Sequence, residues 1–361
     1  MRIAFDGKYA EDDLAGVGKY IENLITGLKN RGVDCVLFYS KKPKVAVGGC
    51  EKVVLVSSNT YYYEQVLLPK TLREKNIDIY HAPGNTGISP FSPVPTVLTV
   101  HDVIPLEIGE YFKSSSFPLV SKGSYLLRLT SSCFLAKQII TVTNFVKRQL
   151  IQKLGVKRNK ITVINSGVSV INKQISLPFN LKRKGYILNH GGIDMRKNLE
   201  RLLIAFKKVG NLFPDQKLVI TGNNSYLRPK LQEKAKSLGL VNKIIFSGYV
   251  NESILWTLIR NSSCVCYPSL AEGFGLPILE AFAGGVPVIS SKRSSTLEIS
   301  GNAALLINPI DTNEIYSAIV MVLENEEFSR SLVTKGLIRV KKFQWDKAVE
   351  ETLKIYKKAL I

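Results

Sequence analysis

No stretch of eighteen or more apolar residues occurs in this 361-residue sequence, so a membrane-spanning helix is not expected. The nearest approach, Ser124 to Val142, is interrupted by Arg128 and Lys137. Cysteine is sparse: Cys35, Cys50, Cys133, Cys264 and Cys266 are odd in number and scattered, which argues against a disulfide framework or a zinc site and for core thiols. There is no Asp-x-Asp pair and no clustered His/Cys/Asp set, so no metal is expected. The opening residues Met1-Arg2-Ile3-Ala4-Phe5-Asp6-Gly7 read as a short strand and a turn. They lack the charged region and long apolar run of a signal peptide, and the protein is expected in the cytoplasm.

Acid is missing in one long region. Between Glu110 and Asp194 there is no Asp or Glu, while residues 111–193 carry fourteen Lys or Arg of a chain whose net charge is +20. Three readings fit: a solvated basic face, a surface for anionic lipid headgroups on the inner face of the cell membrane, or a nucleic-acid site. Each basic residue near an anionic membrane contributes on the order of 1 kcal/mol. The membrane reading is placed slightly ahead of the solvated face, and nucleic acid last.

What is present is a regular alternation. Hydrophobic residues make up 45% and charged residues 22%, a globular mixture whose length favours two domains. Short apolar runs at Arg2–Phe5, Cys35–Tyr39, Val53–Val56, Ile77–Tyr80, Val97–Val100, Ile139–Val142 and Ile161–Ile164 alternate with helical segments. The run Val17, Tyr20, Ile21, Leu24, Ile25, Leu28 has helical spacing and stops at Gly32. Residues 169–184 read as a polar linker. The pattern then restarts at Tyr186–Asn189, Lys217–Ile220, Ile244–Phe246, Cys264–Tyr267, Val286–Ile289 and Ala304–Ile307. Continuous apolar strands between helices predict α/β architecture: two Rossmann-like, doubly wound parallel sheets, at 1–170 and 180–342. The amphipathic segment 343–361 is expected to return to the first. Such sheets bind ligands beyond the carboxyl ends of their strands, so function is sought in the loops there and in a cleft between the halves.

The most specific string is Ala271-Glu272-Gly273-Phe274-Gly275-Leu276-Pro277-Ile278-Leu279-Glu280, after an apolar strand. Pro277 suits the start of a helix, whose free amides favour an anion. Gly273 and Gly275 allow close backbone approach, and Glu272 and Glu280 could accept from the hydroxyls of one extended ligand. A second string, Gly191-Gly192-Ile193-Asp194-Met195-Arg196-Lys197, puts two cations at a helix start, where they suit a diphosphate. His101 follows the strand ending at Val100, with Asp102 able to orient it. Gly16, in Ala15-Gly16-Val17-Gly18-Lys19-Tyr20, opens the first long helix. That string lacks the Ser or Thr of a P-loop and the third Gly of a dinucleotide fingerprint. His81 and His190 also follow strands and are left as structural.

The Glu272-to-Glu280 string resembles the motif of two Glu eight positions apart in retaining glycosyltransferases of family 4, which have GT-B architecture, and the likeness extends over essentially the whole chain. It looks most like bacterial mannosyltransferases of polysaccharide and O-antigen assembly. The resemblance implies that Glu272 contacts the transferred sugar, Glu280 the ribose, and Arg196 and Lys197 the diphosphate. Gly273, Phe274, Gly275, Leu276 and Gly16 would lie along the donor, and His101 near the sugar in a positioning or electrostatic role. It places Thr221, Gly222 and Tyr249 near the nucleobase and Glu298 near the cleft. The family often has a further Arg five residues before the Arg-Lys pair, where Gly191 stands here. The expected activity is retaining, metal-independent hexosyl transfer without a cofactor. Mannose from GDP-mannose would go to a saccharide or lipid-linked saccharide at the membrane. A UDP-sugar donor, a nucleotide-sugar epimerase or hydrolase of the same fold, and a non-enzymatic nucleic-acid binder are the alternatives.

Overall fold

The computed structural model describes every residue except 13–15, 46, 109–110, 112–117, 174 and 223–225, together with the side chains of 118 and 119. The chain divides into two units, Met1–Gly167 with Gln344–Ile361, and Val168–Phe343. The segment read as a linker from 169 therefore belongs wholly to the second unit, and the boundary precedes the expected restart at 180.

The first unit holds β1 (Arg2–Asp6), β2 (Asp34–Tyr39), β3 (Glu51–Val54), β4 (Ile79–Ala82), β5 (Thr96–Val100), β6 (Gln138–Thr141) and β7 (Ile161–Val163). They form one parallel sheet in the order β3-β2-β1-β4-β5-β6-β7. Neighbouring residues feed opposite cores. Cys35, Leu37 and Tyr39 enter one cluster, and Val36 and Phe38 the other. Both faces are covered, which is why these strands read as unbroken apolar runs. β3 is the exception. As an edge strand it begins two residues earlier than its apolar run, at Glu51, whose carboxylate pairs with Arg2 and with Lys75.

The second unit repeats the plan with β8 (Tyr186–Asn189), β9 (Lys217–Thr221), β10 (Ile244–Gly248), β11 (Cys264–Tyr267), β12 (Val288–Ser291) and β13 (Leu305–Ile307), in the order β10-β9-β8-β11-β12-β13. Both sheets thus reverse direction beside their first strand, between β1 and β4 and between β8 and β11. Two neighbouring strand ends there send their loops apart and leave a crevice for a ligand.

The helix Trp345–Leu360 joins the first unit, burying Ala348, Val349, Thr352, Ile355, Tyr356 and Ala359. It lies against the helix Val17–Lys29 at Gly27, where a β-carbon would come within 2.5 Å of Val349. Its Tyr356 hydroxyl meets His81 Nδ1 at 2.7 Å, and the other ring nitrogen meets Thr99 Oγ1 at 2.7 Å. His81 lies inside β4 rather than after it, with both nitrogens engaged, and burial depresses its pKa to about 3, aided by His101.

Candidate functional site

In the second unit the β8 and β11 loops converge on one carboxylate. After β8, Gly191 and Gly192 take positive φ, Asp194 caps a short 3-10 turn by accepting from the Arg196 amide at 2.9 Å, and Asn198 stands in the left-handed region before the helix Leu199–Leu212. Asn198 Nδ2 donates to the carbonyls of Pro268 and Pro309, and the Leu270 amide donates to Arg196 O. These bonds fix the turn so that both cations reach Glu272. The carboxylate takes Arg196 Nη1 on one oxygen. On the other it takes Lys197 Nζ at 2.8 Å and the Tyr267 hydroxyl at 2.7 Å. Lys197 also donates to that hydroxyl and stacks over the Tyr267 ring, 4.5 Å from its centroid.

Glu272 and Lys197 are both buried, and their titration follows from that. Burial pushes the Glu272 carboxyl up, but Lys197, Arg196 and the hydrogen bonds from Lys197 and Tyr267 outweigh it and hold the group at about 2. Burial pulls Lys197 down to about 8 against the opposing pull of Glu272. Two cations, Arg196 and Lys197, thus face two carboxylates, Glu272 and Asp194, the latter with Oδ1 3.6 Å from Arg196 Nε. Both cations stand beside a glycine-rich helix start, a combination that suits a phosphate-bearing ligand.

The helix Leu276–Ala283 begins behind Gly275, whose φ is +106°, and Pro277 is its second residue. Glu280 is the fifth residue of this helix, just beyond its first turn. It is buried, and its carboxylate meets His190 Nε2 at 3.1 Å. His190, set aside from sequence alone, is thus a side chain that helps position Glu280. Its place one residue after β8, at the ligand edge, was the signal. Ser294 and Ser295 also escaped notice. Ser294 Oγ accepts from the Glu272 amide at 3.0 Å, while Ser295 Oγ donates to the carbonyls of Glu272 and Phe274, at 2.7 and 3.0 Å. Phe274 packs edge-to-face on Phe343. Gly273 and Leu276 lie on the same loop and helix start.

Thr221 is buried at the end of β9, and Gly222 beside it lies against the backbone of Gly192. A β-carbon on Gly222 would lie 2.3 Å from Gly192 Cα, and its φ of +141° admits few other residues. Gly222→Ala should destabilise the second unit by about 3 kcal/mol or more through strain and backbone displacement, read as a lower unfolding midpoint in urea. An unchanged midpoint would show that the two loops are not in contact. Tyr249 is exposed after β10, and Glu298 is half-buried on the helix Ser294–Ser300, where its carbonyl accepts from Arg339 Nη2.

In the first unit His101 follows β5. Its amide donates to Asn85 Oδ1 at 2.7 Å, and its Nε2 meets the Pro83 carbonyl at 2.7 Å. A carbonyl can only accept, so Nε2 carries the proton and Nδ1 the lone pair. Burial lowers the ring pKa to about 4, and the Pro83 bond partly offsets it, so the imidazole is neutral at physiological pH. Tyr20 packs edge-on at 4.8 Å between centroids. The Pro83 carbonyl and Asn85 set the ring's position. Asp102, expected to orient it, accepts from the Ile104 amide at 3.1 Å. Gly16 caps the helix Val17–Lys29 with φ +51°; residue 15 of that string lies outside the described residues.

Residues 14–170 match the family Glycosyltransferase Family 4, and residues 171–339 match Glycosyl transferases group 1. The chain belongs to the GT-B glycosyltransferases. It is similar to O-antigen chain mannosyltransferase B of Escherichia coli, 28% identical over 304 residues that cover 79% of this chain and 76% of that protein. It is 30% identical over 224 residues to O-antigen chain mannosyltransferase RfbU of Salmonella typhimurium, covering 62% of this chain and 59% of the relative. Among solved structures, Anabaena HepE in complex with UDP and glucose has the same fold, at TM-score 0.79 and 15% identity, covering 99% of this chain and all of that one. In this glycosyltransferase the two family matches meet within four residues of the boundary between the units, so each unit corresponds to one family module. The Glu272 cluster lies in the second module and His101 in the first.

Proposed function

We propose that this glycosyltransferase moves a mannosyl residue from GDP-mannose to a saccharide or lipid-linked saccharide in cell-surface polysaccharide synthesis, with retention and without a metal ion. The observation that carries the donor reading is the buried Glu272 carboxylate gripped by Arg196, Lys197 and Tyr267. A sugar hydroxyl on Glu272 places the attached diphosphate beside both cations, which stabilise the charge that grows as the sugar–phosphate bond breaks. Glu280, steadied by His190, takes the ribose hydroxyls. The positive charge at the diphosphate is assigned to Arg196 and Lys197. The departing phosphate accepts the acceptor's proton on the same face, and neutral His101 positions the sugar. Mannose is chosen on the names of the relatives.

Thermal stabilisation by GDP, UDP and ADP and their sugars, with and without EDTA, tests the donor. The expected result is a shift with GDP and GDP-mannose alone, unaffected by EDTA; saturation at 100 times Kd adds about 2.7 kcal/mol. A shift with UDP alone would move the assignment to a UDP-sugar, and no shift with any nucleotide would remove the donor site.

Of the fourteen cations in residues 111–193, ten lie in the first unit and four in the second. Several are engaged within the fold: Arg128 on Glu64, Lys153 on Glu107, Lys147 on Ile161 O, Lys160 on Phe134 O and Lys184 on Ser262 O. The helix Pro118–Leu135 carries a narrower feature. Val120, Leu127 and Phe134, seven residues apart and so on one face, are 69%, 71% and 56% exposed, with Lys122 and Lys137 also exposed. This face is proposed to lie on anionic lipid, its apolar side chains in the headgroup boundary. Replacing the three with Ser should reduce co-sedimentation with phosphatidylglycerol vesicles about tenfold or more. Equal binding by wild type and variant would return the face to plain solvent. No helix of the described residues is long and apolar enough to cross a membrane.

A further inference from the structure

The first unit has a second charged cluster, at its own reversal point between β1 and β4, that none of the residues assigned above explains. Asp6 ends β1 and is buried. Its Oδ1 accepts from the Lys8 amide at 3.1 Å, and its Oδ2 lies 3.3 Å from Lys8 Nζ without a hydrogen bond. Glu64, also buried, accepts from Lys8 Nζ at 2.5 Å and from Arg128 Nη2 at 2.7 Å. It sits on a π-helical turn, Tyr63–Leu67, a distortion often found at functional sites. Both carboxylates face Gly87, in the loop after β4. A β-carbon there would be 3.3 Å from Asp6 Oδ2 and 3.7 Å from Glu64 Oε1, and φ is +113°. Tyr9 covers the adjoining turn, its hydroxyl donating to Gly84 O at 2.7 Å. The floor is closed, but the rim is open: Lys8, Arg128 and Tyr9 are 16%, 38% and 42% exposed.

Four charges collected at a strand-end crevice are a poor device for stability, since an apolar replacement of a buried ion network is often neutral or better. Burial and the Glu64 charge raise the Asp6 pKa, with Lys8 opposing, so the fold holds this carboxylate at a cost. The geometry does suit a polyhydroxylated ligand. A row of carboxylate, ammonium, carboxylate and guanidinium offers acceptors and donors in alternation to neighbouring hydroxyls, and an exposed Tyr ring offers a flat face for a pyranose.

We infer that Asp6, Lys8, Glu64 and Arg128, with Tyr9 and the bare backbone at Gly87, form the subsite that binds the acceptor's terminal sugar. This rests on the glycosyltransferase reading and adds the residues that choose the acceptor. Glu64→Gln and Asp6→Asn keep shape and remove charge. Tyr9→Ala, at the exposed rim, leaves the ion network intact and guards against misfolding of the other two. Each variant and wild type would be titrated, with GDP present, against immobilised mannosides, glucosides, galactosides and N-acetylglucosaminides, with the GDP thermal shift measured in parallel. Wild type should retain one sugar class, and all three variants should bind it at least tenfold more weakly, with the GDP shift unchanged in each and the thermal midpoint unchanged in Tyr9→Ala. Retention by none of the classes in wild type, or undiminished retention in Tyr9→Ala and Glu64→Gln, would overturn the subsite. So would loss of binding only in proportion to a lowered midpoint, since that marks a structural network. A missing GDP shift with saccharide binding still lost in the variants would overturn the donor reading and leave this subsite standing.

Discussion

Glu272→Gln is expected to lower sugar transfer by about 10²–10³-fold while nucleoside diphosphate binding stays within a few-fold of wild type. The amide keeps the volume and can still accept from the Tyr267 hydroxyl, but it removes the anion that Arg196 and Lys197 enclose. A sugar hydroxyl then loses its strongest acceptor, whereas the diphosphate loses only a competitor for the two cations. Stability should fall too, by about 3 kcal/mol, because a buried Lys197 is left without its counter-charge. The sign of the pH dependence follows from the lowered carboxyl pKa. Its contribution is present above the ordinary value of 4.5 and is lost as pH falls towards about 2, and the variant should lack that acid limb. Steady-state transfer, calorimetric GDP titration and acid unfolding read these three effects. Full transfer by Glu272→Gln would remove the carboxylate from the chemistry, and a parallel loss of GDP binding would make it part of the phosphate site instead.

Lys197→Met should have the complementary signature: GDP affinity reduced about 100-fold, equivalent to about 2.7 kcal/mol, with guanosine binding unchanged. The thioether fills the aliphatic path of the lysine, and Glu272 keeps Arg196 and Tyr267 as partners, so the fold is retained. Burial places the wild-type ammonium at about 8. The diphosphate binds the protonated form. Affinity should therefore be flat below pH 8 and fall above it by up to about tenfold per unit, a break that Lys197→Met abolishes. A wild-type profile that stays flat to pH 10 would place the ammonium away from the phosphates. Equal losses for GDP and guanosine would mean that Lys197 supports the pocket rather than the charge.

Much of this architecture was legible because parallel strands covered on both faces must be apolar throughout. Among the described residues, all thirteen strands coincide with or overlap an apolar run seen in the sequence. The errors fall where burial and pairing part company. β3 starts on Glu51 and Lys52 because an edge strand does not need apolar residues there, and Val286 is buried in the turn before β12 without belonging to it. The two Glu and the Arg-Lys pair were visible because helix starts and glycine turns have local signatures. Their mutual contact was not, since Arg196 and Glu272 are 76 residues apart in sequence. His190 was passed over for the same reason, its partner Glu280 being 90 residues away. The cluster of Asp6, Lys8, Glu64 and Arg128 had no local signal, because each residue alone is an ordinary charge near a strand or on a helix.

By itself the sequence determined the periodicities: which segments are strands and helices, that the plan occurs twice, and where glycine loops meet helix starts. Those depend on neighbours within a turn or a strand, and side-chain chemistry dictates them directly. Only the tertiary structure decided which charges share a site. The order β10-β9-β8-β11-β12-β13 makes β8 and β11 adjacent although 74 residues separate their ends, and that adjacency brings Lys197 to Glu272. Burial then sets their protonation, through a desolvation that no local pattern of residues records.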